Sequence, residues 1–139
     1  MKAVFLMIVC MVISFVLRGQ NTLVVTVEGT RGKNGSVMVG LFTDRKKFLK
    51  KATYGKVIPA SVHATRVVFE NLEPGEYGIS VIHDMNSNGK LDTNILGIPK
   101  EGFGFGNNAM GVFGPPTFEN AKILIGMGEH QHVIRMKYF

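Results

Sequence analysis

The feature that most constrains the fold is a series of short runs in which β-branched or aromatic residues alternate with smaller or polar ones. Such alternation favours strands that are buried on one face, because successive side chains of a strand point to opposite sides. Glycine, proline and asparagine separate the runs, and these residues favour turns. The sequence therefore predicts about seven strands, which fall within 22–29, 36–43, 56–64, 65–72, 76–84, 121–126 and 132–139.

Short strands with frequent turn signals are typical of an all-β, antiparallel Greek-key sandwich of the prealbumin or immunoglobulin type. Helical periodicity is weak, although the basic segment 44–52 has the composition of a short helix. Pro59 predicts an edge strand, because proline cannot donate a ladder hydrogen bond. Asn34 and Gly35 favour a tight hairpin between the first two strands. We expect one β-sandwich domain at 21–139 with one long glycine-rich loop.

Residues 1–20 have the form of a secretory signal peptide, with Lys2, an apolar run at 3–17 and Arg18. The run is shorter than the roughly 20 residues that cross a bilayer. We therefore expect cleavage, export to the periplasm or the cell exterior, and no membrane span in the mature chain. Cys10 lies in this segment and is the only cysteine. A chain from Asn21 onward would contain no disulfide, so its stability would depend on an apolar core.

The charge pattern narrows the class of partner. The full chain has a formal net charge of +6, and its basic residues are scattered apart from the cluster at 44–51. That cluster fits a solvated connection between strands better than a nucleic-acid surface. We expect a small molecule, a glycan or a protein as the ligand, and no nucleic acid.

The segment 83–92, "HDMNSNGKLD", has the spacing of a calcium-binding loop, with oxygen-bearing groups at alternate positions and Gly89 at the sharp turn. The candidate metal ligands are Asp84, Asn86, Asn88, the carbonyl of Lys90, and Asp92. A bidentate glutamate is absent, because the twelfth position is Ile95, so Glu101, another neighbouring residue or water would complete the shell. The prediction is a weak Ca²⁺ site with a Kd of roughly 10⁻⁴ to 10⁻³ M. The alternative is a polar hairpin that uses Asn and Asp as turn formers.

The glycine-rich segment 97–116 is predicted to be a long irregular loop. Its phenylalanines argue against disorder and leave two interpretations open. They either fold inward as a plug at one end of the sandwich, or form an exposed platform that stacks on sugars or peptides beside amide groups. The candidate ligand-binding residues are Phe103, Phe105, Asn107, Asn108 and Phe113. The motif "GFGFG" lacks the following helix that a dinucleotide site requires.

Catalytic patterns are sparse, which favours a non-catalytic binding or surface-interaction module. His130 and His132 form a His-x-His pair without a third ligand, which fits an exposed edge strand. His83 is interpreted as a hydrogen-bonding residue that orients the loop at 84–92. The alternative function is a hydrolase that uses the loop carboxylates Asp92 and Glu101, provided that the fold brings them together.

Two stretches resemble known families. The turn "VVFENLEPGEYGISVIHD" is similar to that of transthyretin-like, carboxypeptidase-regulatory-like and adhesin B-type sandwiches, and it implies that Leu72 and Tyr77 point inward. The loop spacing also resembles calcium-binding adhesin repeats, although those have an acidic twelfth residue. The segment 83–121 resembles the central signature of domain of unknown function 2141, an exported bacterial family, with a match from Leu23 to the C-terminus. This resemblance implies an exported β-sandwich and no particular activity.

Overall fold

The computed structural model describes residues 21–139, and the predicted signal peptide at 1–20 lies outside the described residues. This part is all-β, with eight strands in two sheets. The strands are β1 (Asn21–Glu28), β2 (Ser36–Phe42), β3 (Tyr54–Pro59), β4 (Thr65–Leu72), β5 (Gly75–Asp84), β6 (Gly102–Phe105), β7 (Lys122–Ile125) and β8 (Glu129–Arg135). One helical turn, α1 (Phe118–Ala121), precedes β7. Across 21–139, no helix is long and apolar enough to cross a membrane.

The strands form a three-stranded sheet in the order β4-β1-β8 and a five-stranded sheet in the order β3-β2-β5-β6. β7 also pairs with β5, which is long enough to hold β6 and β7 at different positions along its length. β1 and β8 are parallel, so the prediction of a wholly antiparallel fold is wrong for this pair. A parallel pair requires a long connection, and nearly the whole domain lies between these two strands.

The core lies between the two sheets, and it confirms the alternation seen in the sequence. Leu23, Val25 and Val27 of β1 are fully buried, and so are Ile79 and Val81 of β5. The side chains between them on β5 point to the opposite face of the sheet.

The turn at 71–77 also follows the prediction. Leu72 and Tyr77 are both buried in the core, at the end of β4 and the beginning of β5. The Tyr77 hydroxyl donates a hydrogen bond of 2.6 Å to the Glu73 carbonyl. The turn therefore closes one end of the sandwich with two buried side chains and a hydrogen-bonded tyrosine hydroxyl.

Strand β6 is the element that the sequence analysis missed, because the whole of 97–116 was predicted to be irregular. Its alternation of glycine and phenylalanine is a strand pattern of period two. A side chain at Gly102 or Gly104 would overlap Tyr138 or Ile134, which pack against the inner face of β6. The phenylalanines therefore point to the outer face. The strand raises the total from the predicted seven to eight.

The predicted hairpin at Asn34 and Gly35 is also wrong, because β1 and β2 belong to different sheets. Gly35 does adopt a positive φ of 72°. A Cβ atom there would overlap the Asp84 carbonyl oxygen at the end of β5. Glycine is therefore required here for a close approach between a connection and a strand, rather than for a hairpin turn.

Two smaller predictions can be compared with the structure. β3, which ends at Pro59, lies at the edge of the five-stranded sheet, as predicted. The basic segment 44–52 contains only a short 3₁₀ turn at Arg45–Lys47, where the Asp44 side chain accepts a hydrogen bond from the Lys46 backbone N–H.

Candidate functional site

Asp84 ends β5 and begins the predicted metal loop. Its side chain is buried, and its two carboxylate oxygens accept hydrogen bonds from the backbone N–H groups of Asn88 at 3.0 Å and Gly89 at 2.7 Å. These bonds fold residues 84–89 into a tight turn, with Gly89 at a φ of 81°. Asp84 is therefore a structural anchor of the loop in addition to a candidate ligand.

The side chains of Asn86, Asn88 and Asp92 converge on the open side of this turn. The Asn86 amide donates to Asp92 at 2.7 Å, and the Asn88 amide donates to both Asp92 oxygens at 2.8 and 2.9 Å. The amide hydrogen bonds from Asn88 and then Asn86 lower the pKa of Asp92, with smaller contributions from Lys90 and Lys100. Asp92 is therefore ionised at neutral pH. The oxygens of the two amides accept from the backbone N–H groups of Asn88 at 3.3 Å and Lys90 at 3.1 Å.

Glu101 connects the two ends of the loop from the beginning of β6. Its side chain is buried, and it accepts hydrogen bonds from the backbone N–H groups of Met85 at 2.8 Å and Asp92 at 3.0 Å. Both carboxylate oxygens are thus engaged with the backbone. This arrangement supports a structural role for Glu101 and lends no support to a general acid or base partnered with Asp92.

His83 does not orient the loop at 84–92, contrary to the sequence-based interpretation. Its ring is buried, with Nε2 at 2.8 Å from the Asn34 carbonyl and Nδ1 at 2.8 Å from the Tyr138 hydroxyl. A carbonyl can only accept, so Nε2 carries a proton and donates to Asn34. His83 therefore joins the connection between β1 and β2 to the C-terminal segment.

A groove of about 1020 Å³ lies on the outer face of the five-stranded sheet, opposite the core. We call it the outer groove. Strands β5 and β6 contribute Ser80, Val81, Ile82, Phe103 and Phe105. The remaining lining consists of Phe42, Leu49, Lys50, Ala52, Gly89, Lys90, Leu91, Thr93, Leu96, Gly97, Ile98, Pro99, Phe139 and the segment 110–115. Its lining is mostly apolar, which is typical of a site for a small organic ligand.

The loops around the outer groove present large apolar side chains to solvent. Leu96, Val112, Phe113 and Phe139 are each at least 78% exposed, although all four line the groove. The turn at 94–98 is held by the Asn94 side chain, which accepts from the backbone N–H groups of Leu96 and Ile98. A group of exposed apolar side chains around one concavity is a marker of a binding surface.

The predicted platform residues separate into two groups. Phe103 and Phe105 are buried and Phe113 is fully exposed, but all three line the outer groove. Asn107 and Asn108 are engaged elsewhere: the Asn107 amide donates to the Asn120 and Lys122 carbonyls, and the Asn108 carbonyl accepts from the Arg135 N–H. Their amide groups tie the segment 106–108 to its neighbours and do not face the groove phenylalanines.

The histidine pair lies on β8, at the edge of its sheet, with each ring bonded to backbone. His132 Nε2 accepts from the Asn107 N–H at 2.8 Å, and His130 Nε2 accepts from the Gly126 N–H at 3.2 Å. Accepting a hydrogen bond requires an unprotonated nitrogen. Burial lowers the pKa of His132 below its ordinary value.

We expect His132 to make the stability pH-dependent. Its contribution is complete above the ordinary pKa of 6.5 and is lost as the pH falls through the lowered folded pKa, because the unfolded chain binds the proton more readily. Melting temperatures at about pH 7.5 and about pH 5 measure the effect. The decrease in melting temperature between the two pH values should be smaller in His132→Gln than in the wild type. In the exposed control His63→Gln it should equal that of the wild type. Equal decreases in all three proteins would contradict the assignment.

Most of the loop residues that line the outer groove were not predicted from the sequence, although two sequence signals pointed to them. The segments "ILGIP" at 95–99 and "MGVF" at 110–113 place large apolar residues within otherwise turn-like sequence. The contributions of Phe42, Leu49 and Phe139 carry no such signal, since only the tertiary structure brings these residues to one face.

Comparison with known proteins identifies the family of this chain. No curated protein and no solved structure matches it. A family model matches residues 25–133, which extend from within β1 into β8 and include the metal-like loop and β6. The chain therefore belongs to the bacterial family described as "Uncharacterized protein conserved in bacteria (DUF2141)".

Proposed function

We propose that this protein is an exported, non-catalytic binding module that holds an apolar small molecule in the outer groove. The observation that carries the proposal is the groove itself, with its volume of about 1020 Å³ and its mostly apolar lining on the outer face of the sheet. Pockets for small molecules typically enclose about 300–1,000 Å³. Export rests on the signal-like sequence of residues 1–20.

The shape of the site favours a ligand that inserts between loops. Ser80, a small residue on β5, lies opposite Gly40 of β2 on one side and Phe105 of β6 on the other. Leu96 and Phe113 extend from two different loops and remain exposed. Burying such side chains against a ligand contributes about 1.5–3 kcal/mol each. This gain favours closure of the two loops over an apolar ligand.

The proposal is tested with an uncharged fluorescent probe, N-phenyl-1-naphthylamine, whose emission increases in apolar surroundings. We expect saturable binding, and we expect Leu96→Ala and Phe113→Ala each to weaken it by about tenfold. Leu124→Ala is the matched control, because Leu124 is also an exposed apolar residue but does not line the groove. Absence of saturable binding, or an equal effect of all three substitutions, would contradict the proposal.

The second part of the proposal is that Ca²⁺ stabilises the loop at 84–92. It is supported by the convergence of Asn86, Asn88 and ionised Asp92 at one side of the turn, since calcium prefers carboxylate and amide oxygens. Binding requires both amides to turn their oxygens inward, away from the backbone N–H groups of Asn88 and Lys90. No three His, Cys, Asp or Glu side chains within 21–139 form a ready-made metal group. The shell therefore depends on the asparagine amides, the Lys90 carbonyl and water, and the expected affinity is weak.

Calcium should raise the melting temperature. With a Kd of about 10⁻⁴ M, 10 mM calcium adds about 2.7 kcal/mol to the free energy of unfolding. Asp92→Asn should remove most of this gain, because it deletes a charge but retains an oxygen at the same place. Asp84 is unsuitable for this test, since its substitution also breaks two backbone contacts.

Magnesium at the same concentration is the control for a general effect of ionic strength. It should give a smaller shift, because Mg²⁺ demands a stricter geometry and retains its water. If calcium leaves the melting temperature of the wild-type protein unchanged, the loop is a polar turn and the metal proposal is wrong.

A further inference from the structure

We infer that the outer groove selects an anionic amphiphile with a single long alkyl chain, and that Lys50 and Lys90 bind its head group. The inference rests on the proposed function and adds the charge and chemical class of the ligand. The carboxylate of a long-chain fatty acid is the simplest head group of this kind.

The charged residues that line the outer groove are all positive. Among residues 21–139, Lys50 and Lys90 are the charged residues that line the outer groove, and no aspartate or glutamate of this part of the chain lines it with them. They belong to different walls, one in the segment 49–52 and the other in the segment 89–99. Two ammonium groups beside an apolar lining complement a ligand that has one apolar end and one negative end.

In the described part of the chain neither lysine forms a direct ion pair, although the Lys90 ammonium lies near enough to Asp92 to help lower the pKa of that carboxyl. Within residues 21–139, Lys50 and Lys90 take part in no ion pair, whereas Lys47 and Lys122 each pair with an acidic side chain. Both groove lysines are also exposed, so their ammonium groups are free to turn toward a bound head group. The apolar stems of the two side chains would meanwhile lie against the alkyl chain.

The concave form of the site favours an alkyl chain over a protein surface. Phe103 and Phe105 are buried at the base of the groove, below the exposed side chains of Leu96 and Phe113. A flat partner would contact the exposed residues and leave the base uncovered. A single chain can reach the base, where each buried methylene adds to the affinity.

The test compares three ligands with the same twelve-carbon chain: dodecanoate, dodecanol and dodecyltrimethylammonium, each below its micellar concentration. We expect dodecanoate to bind most tightly, by threefold to tenfold over dodecanol, which corresponds to two exposed ion pairs. The cation should bind most weakly. The double variant Lys50→Gln/Lys90→Gln should remove this order while it still binds dodecanol. Lys46→Gln/Lys51→Gln is the matched control, because both residues belong to the same basic segment but do not line the groove.

Each outcome decides between the alternatives. Equal affinities for the three ligands, or an order that persists in Lys50→Gln/Lys90→Gln, would refute the inference and leave the groove as a binding site. Failure of all three ligands and of the uncharged probe to bind would refute the proposed function itself. Dimerisation in sedimentation experiments that Phe113→Ala abolishes would identify a second copy of the chain as the occupant and would overturn the inference.

Discussion

Glu101→Ala is expected to lower the free energy of unfolding by about 4 kcal/mol, because it removes two charge-assisted hydrogen bonds and leaves two backbone N–H groups without a partner. Those N–H groups belong to Met85 and Asp92, at opposite ends of the candidate calcium loop. A loss of this size is a large part of the 5–15 kcal/mol that stabilises a typical domain. Chemical denaturation with urea measures it directly.

Two further substitutions define the origin of this loss. Glu101→Gln retains one acceptor oxygen and should cost less than Glu101→Ala. Glu70→Ala removes an exposed glutamate from β4 and should change stability by less than about 0.5 kcal/mol. If Glu101→Ala lowered the free energy of unfolding no more than Glu70→Ala does, the buried carboxylate would not stabilise the loop. The calcium proposal would then lack a preformed loop to bind the ion.

Gly35→Ala is expected to destabilise the protein by about 3 kcal/mol, through a left-handed backbone and a collision with the end of β5. Gly35 has a φ of 72°, and an added Cβ would overlap the Asp84 carbonyl oxygen. Gly32→Ala is the matched control, because Gly32 has a φ of 84° but no atom of the described segment 21–139 lies within 4 Å of its added Cβ. The control should show only the backbone cost of about 1 kcal/mol.

Urea denaturation of the two variants separates the two costs. The difference between them measures the collision, since the backbone cost is common to both. Equal losses of stability in Gly32→Ala and Gly35→Ala would mean that the segment between β1 and β2 can shift to accommodate the added Cβ. The close approach to Asp84 would then not restrict residue 35.

The metal-like loop illustrates how far local sequence can predict a site. The alternate spacing of Asp84, Asn86 and Asn88 correctly predicted a tight turn with Gly89 at its positive-φ corner, because both depend on neighbouring residues. The hydrogen bonds that Glu101 accepts from both ends of the loop were not predictable from that spacing. They depend on where β6 returns beside β5, which is a non-local event.

The position of the phenylalanines likewise depends partly on local sequence and partly on contacts between distant residues. The alternation in "GFGF" contains the information for a strand, and its glycines are explained only once Ile134 and Tyr138 are seen to pack against them. The outer groove combines these phenylalanines with Lys50 and Phe139, which are far apart along the chain. Residues that share no local pattern cannot be grouped from sequence, since their proximity results from sheet pairing.

Local sequence was sufficient to predict the all-β class, the alternating faces of β2 and β5, the edge position of β3 and the turn before β5. Each of these depends on side-chain alternation or on a turn residue, and both act over a few neighbouring positions. The parallel pairing of β1 with β8, and the failure of Asn34 and Gly35 to close a hairpin, depend on contacts between distant parts of the chain. Strand pairing minimises the exposed apolar surface of the whole chain, so a local turn signal is overruled when the two strands bury more surface in different sheets.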